Sequence, residues 1–152
     1  MRINILAIGK LKEEGFISSQ AEYLKRLSKF SKAQVFELPE APFSKSEAEQ
    51  QKIESESLFT KAKGTVVIFD RRGDELSSEE LARYIEVKKV SGESEISFLI
   101  GGSHGFSAEA LKKADKVISF SKMTFPHQLF RVMALEQIYR AFTIIEGLPY
   151  HK

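Results

Sequence analysis

Two stretches in the last third of the chain decide the fold: ISFLIGGSHGFS, residues 96–107, and VISFSKMTFPHQ, residues 117–128. Each begins with a short apolar run, Ile96–Ile100 and Val117–Phe120, which predicts a strand followed directly by a loop. In open α/β sheets, ligands bind where strands end at their carboxyl edge. We therefore expect the binding site where these two loops meet, and the rest of the chain to be their scaffold.

Strands and helices alternate along the whole chain. The predicted strands are Arg2–Gly9, Ala33–Leu38, Thr65–Phe69, Glu95–Ile100 and Lys116–Phe120. Apolar residues at helical spacing predict helices between them, and Ser77 with Glu80 has the spacing of a capping box. Near-continuous apolar runs are typical of strands covered on both faces. The sequence therefore predicts one α/β domain over residues 1–152, with a mostly parallel sheet and helices on both faces.

Composition excludes several classes of protein. The 152 residues are 42% apolar and 29% charged, with a net charge of +2, and they include no Cys, which excludes disulfides and thiolate metal ligands. No apolar run is long enough to cross a membrane. His104, His127 and His151 are too scattered for a metal motif, so we expect no metal. The absence of Cys fits a cytoplasmic enzyme, which we also expect. Dedicated nucleic-acid binders are often far more basic, so any RNA affinity would come from a local patch or from two copies of one.

The loop Gly101–Gly105 brings backbone, rather than side chains, to the end of a strand. It lacks the spacing of a dinucleotide-binding loop and the Gly-Lys-Ser/Thr of a P-loop. Glycines allow the backbone to approach a ligand closely, but they also suit an ordinary tight turn. At the end of the third strand, Asp70 could bond a ribose hydroxyl or form an Asx turn with Gly73.

The second loop alternates apolar and polar side chains. They are Phe120, Ser121, Lys122, Met123, Thr124 and Phe125. Pro126 disfavours the helical conformation for the residue before it, so the loop stays extended. An extended loop with apolar side chains and free backbone polar groups suits a flat heteroaromatic ligand. The alternative is a sixth strand or a loop that fills the core.

The last helix, from Pro126 to about Glu146, is apolar on most of its circumference. Such a helix is buried, and one face of it would stay exposed in a small domain, which predicts a homodimer. Arg131 and Arg140 on this helix could hold RNA phosphate. The alternative is an ion pair with Glu136, which lies four residues before Arg140.

Long motifs along the chain resemble one known family. They are INILAIGKLKE (3–13), AEYLKRL (21–27), LIGGSHG (99–105), SFSKMTFPHQLFRV (119–132) and EQIYRAFTIIEGLPYHK (136–152). These motifs resemble the ribosomal RNA large-subunit methyltransferase H family. The resemblance covers essentially the whole chain and is strongest from Gly101 to Lys152, and only the polar region 39–63 is uninformative.

The resemblance implies properties that the spacing of residues did not establish. Members of this family are SPOUT-class homodimers that use S-adenosylmethionine to methylate N3 of a pseudouridine in 23S rRNA. The resemblance implies a deep trefoil knot in the C-terminal part, whose loops bind the cofactor. The implied cofactor-binding residues are Phe69, Gly101, Gly102, Phe120, Ser121, Lys122, Met123, Thr124 and Phe125.

The chemistry requires that N3 of neutral pseudouridine lose its proton, or that the site favour the ionised base. The available groups are His127, Glu136, Tyr150 and His151, and the sequence leaves the choice open. We expect the last helix to lie at the dimer interface, so the tail beyond it can reach the partner's cofactor site. Pro149 stiffens this tail, and we expect Tyr150 and His151 to complete the partner's active site. Phosphate contacts supply much of the affinity for bare RNA, so a chain with a net charge of +2 should bind bare RNA poorly. We therefore expect action on the assembled ribosome, where shape adds contacts.

Two other functions fit parts of the pattern. A flavodoxin-type protein would bind a nucleotide or flavin at the same strand ends. A non-catalytic ribosome-assembly factor would need the basic residues and the dimer but not the two loops. For the charged residues of 44–63 we expect a solvated helix at the edge of the fold.

Overall fold

The computed structural model describes residues 1–152, which form five strands and five helices in alternation. The strands are β1 (Arg2–Ile8), β2 (Lys32–Leu38), β3 (Thr65–Glu75), β4 (Glu95–Ile100) and β5 (Lys116–Ser119). The helices are α1 (Glu14–Leu27), α2 (Glu47–Lys61), α3 (Ser78–Val90), α4 (Ala108–Lys113) and α5 (His127–Ile145). All strands are parallel, in the order β2-β1-β4-β3-β5. The predicted α/β class is thus confirmed.

Helices cover both faces of the sheet. Side chains alternate between the two faces along each strand, and the apolar ones on each face pack against helices. On one face, Ile3 and Ile5 of β1 pack in a cluster with residues of α1, α3 and α5. On the other face, Leu6 and Ile8 pack with Leu58 of α2, with Ala110 of α4 and with Phe106 just before α4. This explains the near-continuous apolar runs, since both faces of the central strands are buried.

Two capping boxes mark helix starts. The Ser77 hydroxyl accepts from the backbone N–H of Glu80 at 3.1 Å, and the Glu80 carboxylate accepts from the Ser77 N–H at 2.7 Å. Ser46 and Glu49 form the same arrangement at the start of α2. Because each box satisfies two otherwise free donors, it fixes where the chain enters the helix.

The third strand is longer than the expected Thr65–Phe69. After Phe69, which pairs with Ile118, the chain departs from the sheet and returns with Asp74 paired to the same residue. Gly73 permits this close return, since a Cβ there would lie 2.5 Å from the carbonyl carbon of Val117. Residues 70–73 therefore bulge from the edge of the sheet beside the ends of β4 and β5.

The charged face of the polar helix α2 is mostly solvated, as expected, since Glu49, Lys52 and Glu56 are exposed, but the helix does not lie at an edge of the fold. It lies on one face of the sheet and buries Gln50, Glu54, Ser55 and Leu58. Its buried polar side chains bond to neighbouring backbone, so few of them are left without a partner. No helix of the fold is long and apolar enough to cross a membrane.

Candidate active site

A cavity of about 480 Å³ lies at the carboxyl ends of β3, β4 and β5. Its size falls in the range of small-molecule sites. Its walls come from residues 69–72 at the bulge of β3, from the glycine loop 100–106, and from the loop 120–125 with the start of α5, and Glu47 and Gln51 of α2 also line it. The two loops singled out in the sequence therefore meet at one site, as expected for the open end of a parallel sheet.

The glycine loop brings backbone close to the cavity. A Cβ added at Gly101 would lie 3.0 Å from the Phe106 ring, and one added at Gly102 would collide with the Glu54 carboxylate. Gly105, at a φ of +70°, adopts the left-handed conformation that favours glycine, and its N–H donates to the Gly102 carbonyl at 3.0 Å. Side chains are thus excluded at Gly101 and Gly102.

Aromatic side chains form another wall of the cavity. The rings of Phe69 and Phe120 lie edge to face with centroids 5.0 Å apart, and Phe120 lies 4.9 Å from Phe130. Phe125 stacks on Phe130 at 6.1 Å. These rings lock one another, so the cavity presents a fixed apolar surface that suits a flat ring system.

The bulge of β3 supplies a charged rim. The Asp70 carboxylate accepts from the Arg72 backbone N–H at 3.0 Å and from the Arg72 guanidinium at 2.8 Å through each oxygen. Burial raises the pKa of Asp70, but these hydrogen bonds outweigh it and the net pKa is lowered. Asp70 thus forms an Asx turn, with Arg72 rather than with Gly73. Arg72 also donates to the Phe106 carbonyl at 2.8 Å, and this bond ties the bulge to the glycine loop.

The cavity brings together most of the residues assigned to the cofactor. Those that line it are Phe69, Gly101, Gly102, Phe120, Ser121, Met123, Thr124 and Phe125. Lys122 is exposed and does not line the cavity. Of the four candidate proton acceptors, His127 alone lines it, as the first residue of α5.

The other three candidates form a separate network on α5 and α3. Tyr150 donates to Glu136 Oε1 at 3.0 Å, and the Arg140 Nε donates to the same oxygen at 3.0 Å. His151 Nε2 lies 2.8 Å from Glu79. Burial, together with the bond to Glu136, raises the pKa of Tyr150 to about 12, so its phenol stays protonated near neutral pH. The tail is therefore folded onto its own helix and away from its own cavity.

Arg131 lies in the core, which corrects its assignment to RNA phosphate. It is 2% exposed, and its guanidinium donates to Glu37 at 2.6 Å and to the Gly9 carbonyl at 2.8 Å. Glu37 also accepts from the Leu11 N–H at 3.0 Å. Arg131 therefore fixes α5 to β2 and to the turn after β1. The expected pair of Glu136 with Arg140 is present, and it leaves Arg140 partly exposed.

Sequence reasoning missed several residues that line the cavity. They are Glu47, Gln51, Arg71, Arg72, Phe106 and Phe130. Glu47 and Gln51 belong to the helix that had been expected at the edge of the fold. Arg71 makes no ion pair, so it is the free cation of this rim. In the sequence, the only sign that Arg71 and Arg72 belong to the site is their place in the run DRRG, residues 70–73, directly after a strongly predicted strand.

Comparison with known proteins places this chain in a class of methyltransferases. A family model described as "Predicted SPOUT methyltransferase" matches residues 1–151. The ribosomal RNA large subunit methyltransferase H 1 of Clostridium perfringens is 47% identical over 159 residues, covering 100% of both chains. The methyltransferase H of Carboxydothermus hydrogenoformans matches with the same identity and coverage. The chain belongs to the ribosomal RNA large subunit methyltransferase H family, which confirms the resemblance.

A solved structure shares the fold at low sequence identity. A probable methylase family protein from Haemophilus influenzae Rd KW20 matches with a TM-score of 0.56 and 14% identity. The match covers 99% of this chain and 70% of that chain. At this identity the likeness shows the fold alone.

Proposed function

We propose that this protein transfers a methyl group from S-adenosylmethionine to N3 of a pseudouridine in 23S rRNA, in the cytoplasm and on the assembled ribosome. The observation that carries the proposal is the cavity at the ends of β3, β4 and β5, which the glycine loop and the aromatic side chains line together. Membership of a methyltransferase family supports the reaction class. The printed names of its relatives support ribosomal RNA as the substrate.

The residues of the cavity fit this cofactor. Phe69, Phe120 and Phe125 offer a fixed apolar surface for the adenine ring, and Gly101, where a Cβ would meet the Phe106 ring, presents bare backbone to a ligand. When bound, S-adenosylmethionine supplies a methyl group already activated by its sulfonium. The protein's own contribution is then mainly to hold the two reactants in line, which is a large effect by itself.

The proton at N3 is the remaining chemical problem, and His127 is the best-placed group to accept it. It lies at the cavity wall, whereas Glu136 already accepts from Arg140, Tyr150 and Gln137. Tyr150 is a protonated phenol with its pKa raised to about 12. His151, paired with Glu79, would act only at a partner's site. A general base must lie within hydrogen-bond reach of the proton it takes.

Two arginines are proposed to contact RNA. Arg71 is exposed at the cavity rim without an ion pair, and Arg140 is partly exposed beside the tail. Few phosphate contacts are expected from a chain with a net charge of +2. Affinity would then depend on the shape of the folded ribosome, which fits the assembled particle as substrate.

The proposal includes a homodimer built on α5. A second cavity of about 480 Å³ lies along this helix, and its lining includes Val132, Met133, Leu76 and Leu81. Leaving such an apolar groove open to water is unfavourable, and a second copy would cover it. Phe120 lines both cavities, so a partner seated in this groove would lie next to the cofactor site.

The trefoil knot belongs to the same proposal. The bulge 70–73 leaves β5 and rejoins it, and Gly73 contacts the Val117 backbone closely. Such close backbone contact beside the cavity is compatible with a knot, in which a C-terminal segment passes through an earlier loop. Knots are otherwise rare in proteins.

Isothermal titration with S-adenosylhomocysteine and with FMN separates this function from its alternatives. The proposal predicts binding of S-adenosylhomocysteine and none of FMN. Binding of FMN alone would support a flavodoxin-type protein, and binding of neither would support a non-catalytic assembly factor.

A further inference from the structure

One face of α2 is directed at the glycine loop of the cavity. Glu47, Gln51 and Ser55 are spaced by four residues, so they lie on one side of the helix. All three contact the segment 104–107, and Glu47 and Gln51 also line the cavity itself. The helix therefore supplies a second layer behind the loop.

Gln51 makes the central contact. Its Nε2 donates to the His104 carbonyl at 2.7 Å, across 53 positions of sequence. One turn earlier, Glu47 lies 3.4 Å from His104 Nδ1, and one turn later the Ser55 hydroxyl accepts from the Ser107 N–H at 3.5 Å. The bond from Gln51 is the shortest of the three and the only one that binds the loop carbonyl.

Glu54 closes the space behind Gly102. It is 5% exposed, one oxygen accepts from the Ala41 N–H at 2.9 Å, and the other oxygen has no partner. A Cβ at Gly102 would collide with this unpaired oxygen. The loop thus cannot relax toward α2, because a buried carboxylate occupies that side.

The loop has little internal support of its own. The backbone hydrogen bond from Gly105 to Gly102 closes one turn within it, and Arg72 holds the Phe106 carbonyl from the side of β3. Between these two points, His104 is held by α2. The bond from Gln51 is the only one that holds the His104 carbonyl, so its loss leaves this part of the loop free to move.

We infer that Gln51 is a positioning residue for cofactor binding, acting through the His104 carbonyl to hold the glycine loop against the cavity. The inference rests on the proposed cofactor site and adds α2 to its machinery. In this role, the Nε2 of Gln51 donates the hydrogen bond that positions the glycine loop.

The test measures S-adenosylhomocysteine affinity and thermal unfolding on four full-length proteins: wild type, Gln51→Glu, Gln51→Lys and Lys52→Ala. Gln51→Glu keeps the shape but loses the donor, and Gln51→Lys restores a donor. Lys52→Ala is the matched control, since Lys52 is exposed on the same helix and contacts neither loop nor cavity. A net hydrogen bond is worth about a threefold to tenfold change in affinity.

We expect Gln51→Glu to raise the Kd about threefold to tenfold with the melting temperature unchanged, and Gln51→Lys to bind like wild type. An unchanged Kd in Gln51→Glu, with wild type binding normally, would overturn the inference and leave the proposed function intact. If both Gln51 variants lost cofactor affinity and also melted at a lower temperature, this would also overturn the inference, since the role of Gln51 would then be to stabilise the fold. A wild type that binds no S-adenosylhomocysteine would overturn the proposed function together with this inference.

Discussion

Arg131 of α5 and Glu37 of β2 form an ion pair in which the guanidinium is almost completely buried and Nη1 lies 2.6 Å from Oε1. Burial lowers the pKa of Arg131, and the Glu37 carboxylate opposes that shift. The pair joins the first and last parts of the fold, because the residues are 94 positions apart. It fixes the start of α5, where His127 meets the cavity.

Replacing Arg131 with Ala should therefore destabilise the fold rather than weaken RNA binding alone. Removing one partner of a buried pair costs about 3 kcal/mol or more, since the other group is left without compensation. Urea unfolding followed by circular dichroism measures this loss. The control is Arg140→Ala, for which we expect a loss of about 1 kcal/mol or less. Equal stability of the two variants would restore the RNA role of Arg131.

Gly101→Val should abolish cofactor binding without unfolding the protein. The new side chain would meet the Phe106 ring, which lies 3.0 Å from the position of a Cβ. The loop would have to shift, and the cavity would lose space for the cofactor. Titration with S-adenosylhomocysteine measures the effect, and Gly15→Ala is the control, because nothing lies within 4 Å of a Cβ there. A Gly101→Val protein that binds normally would reduce the loop to a simple turn.

His127→Asn should slow methyl transfer and spare cofactor affinity. Loss of a positioned general base costs about a hundredfold in rate or more. Single-turnover transfer measures the rate, and S-adenosylhomocysteine titration serves as the control for an intact site. Wild-type turnover in this variant would move the search for the base to the tail of the partner subunit.

Deleting Tyr150–Lys152 should reduce methyl transfer at least about tenfold, or roughly 1.4 kcal/mol in the barrier. Because Tyr150 bonds to Glu136 and packs against the Tyr139 ring at 4.9 Å, we also expect a loss of about 1 kcal/mol in stability. Cofactor affinity should stay unchanged, since the tail does not line its own cavity. Full activity in the truncated protein would show that the tail has no part in the reaction.

Local features of the sequence predicted the fold well, whereas contacts across the chain could not be anticipated. The Ser77–Glu80 capping box and the two loops after β4 and β5 depend on neighbouring residues, and the structure contains them as expected. The charges and the few apolar residues of α2 predicted a solvated helix at the edge of the fold, but Gln50 and Glu54 are buried and bond to backbone nearby.

Arg131 shows the same limit more clearly. Nothing in its own helix marks Glu37 as its partner, and proximity to His127 favoured a functional role instead. The bulge 70–73 was also invisible, since it arises from how β3 pairs with β5 on both sides of it. Pairings of this kind depend on tertiary structure, which no local pattern records.

The most direct test of the central claim is methyl transfer from labelled S-adenosylmethionine to 70S ribosomes that lack the modification, followed by mapping of the labelled nucleotide. The account predicts that label enters 23S rRNA at N3 of a pseudouridine, and that free 23S rRNA accepts it far more slowly. Label at a different nucleotide, or no label in rRNA from a protein that binds S-adenosylhomocysteine, would contradict it.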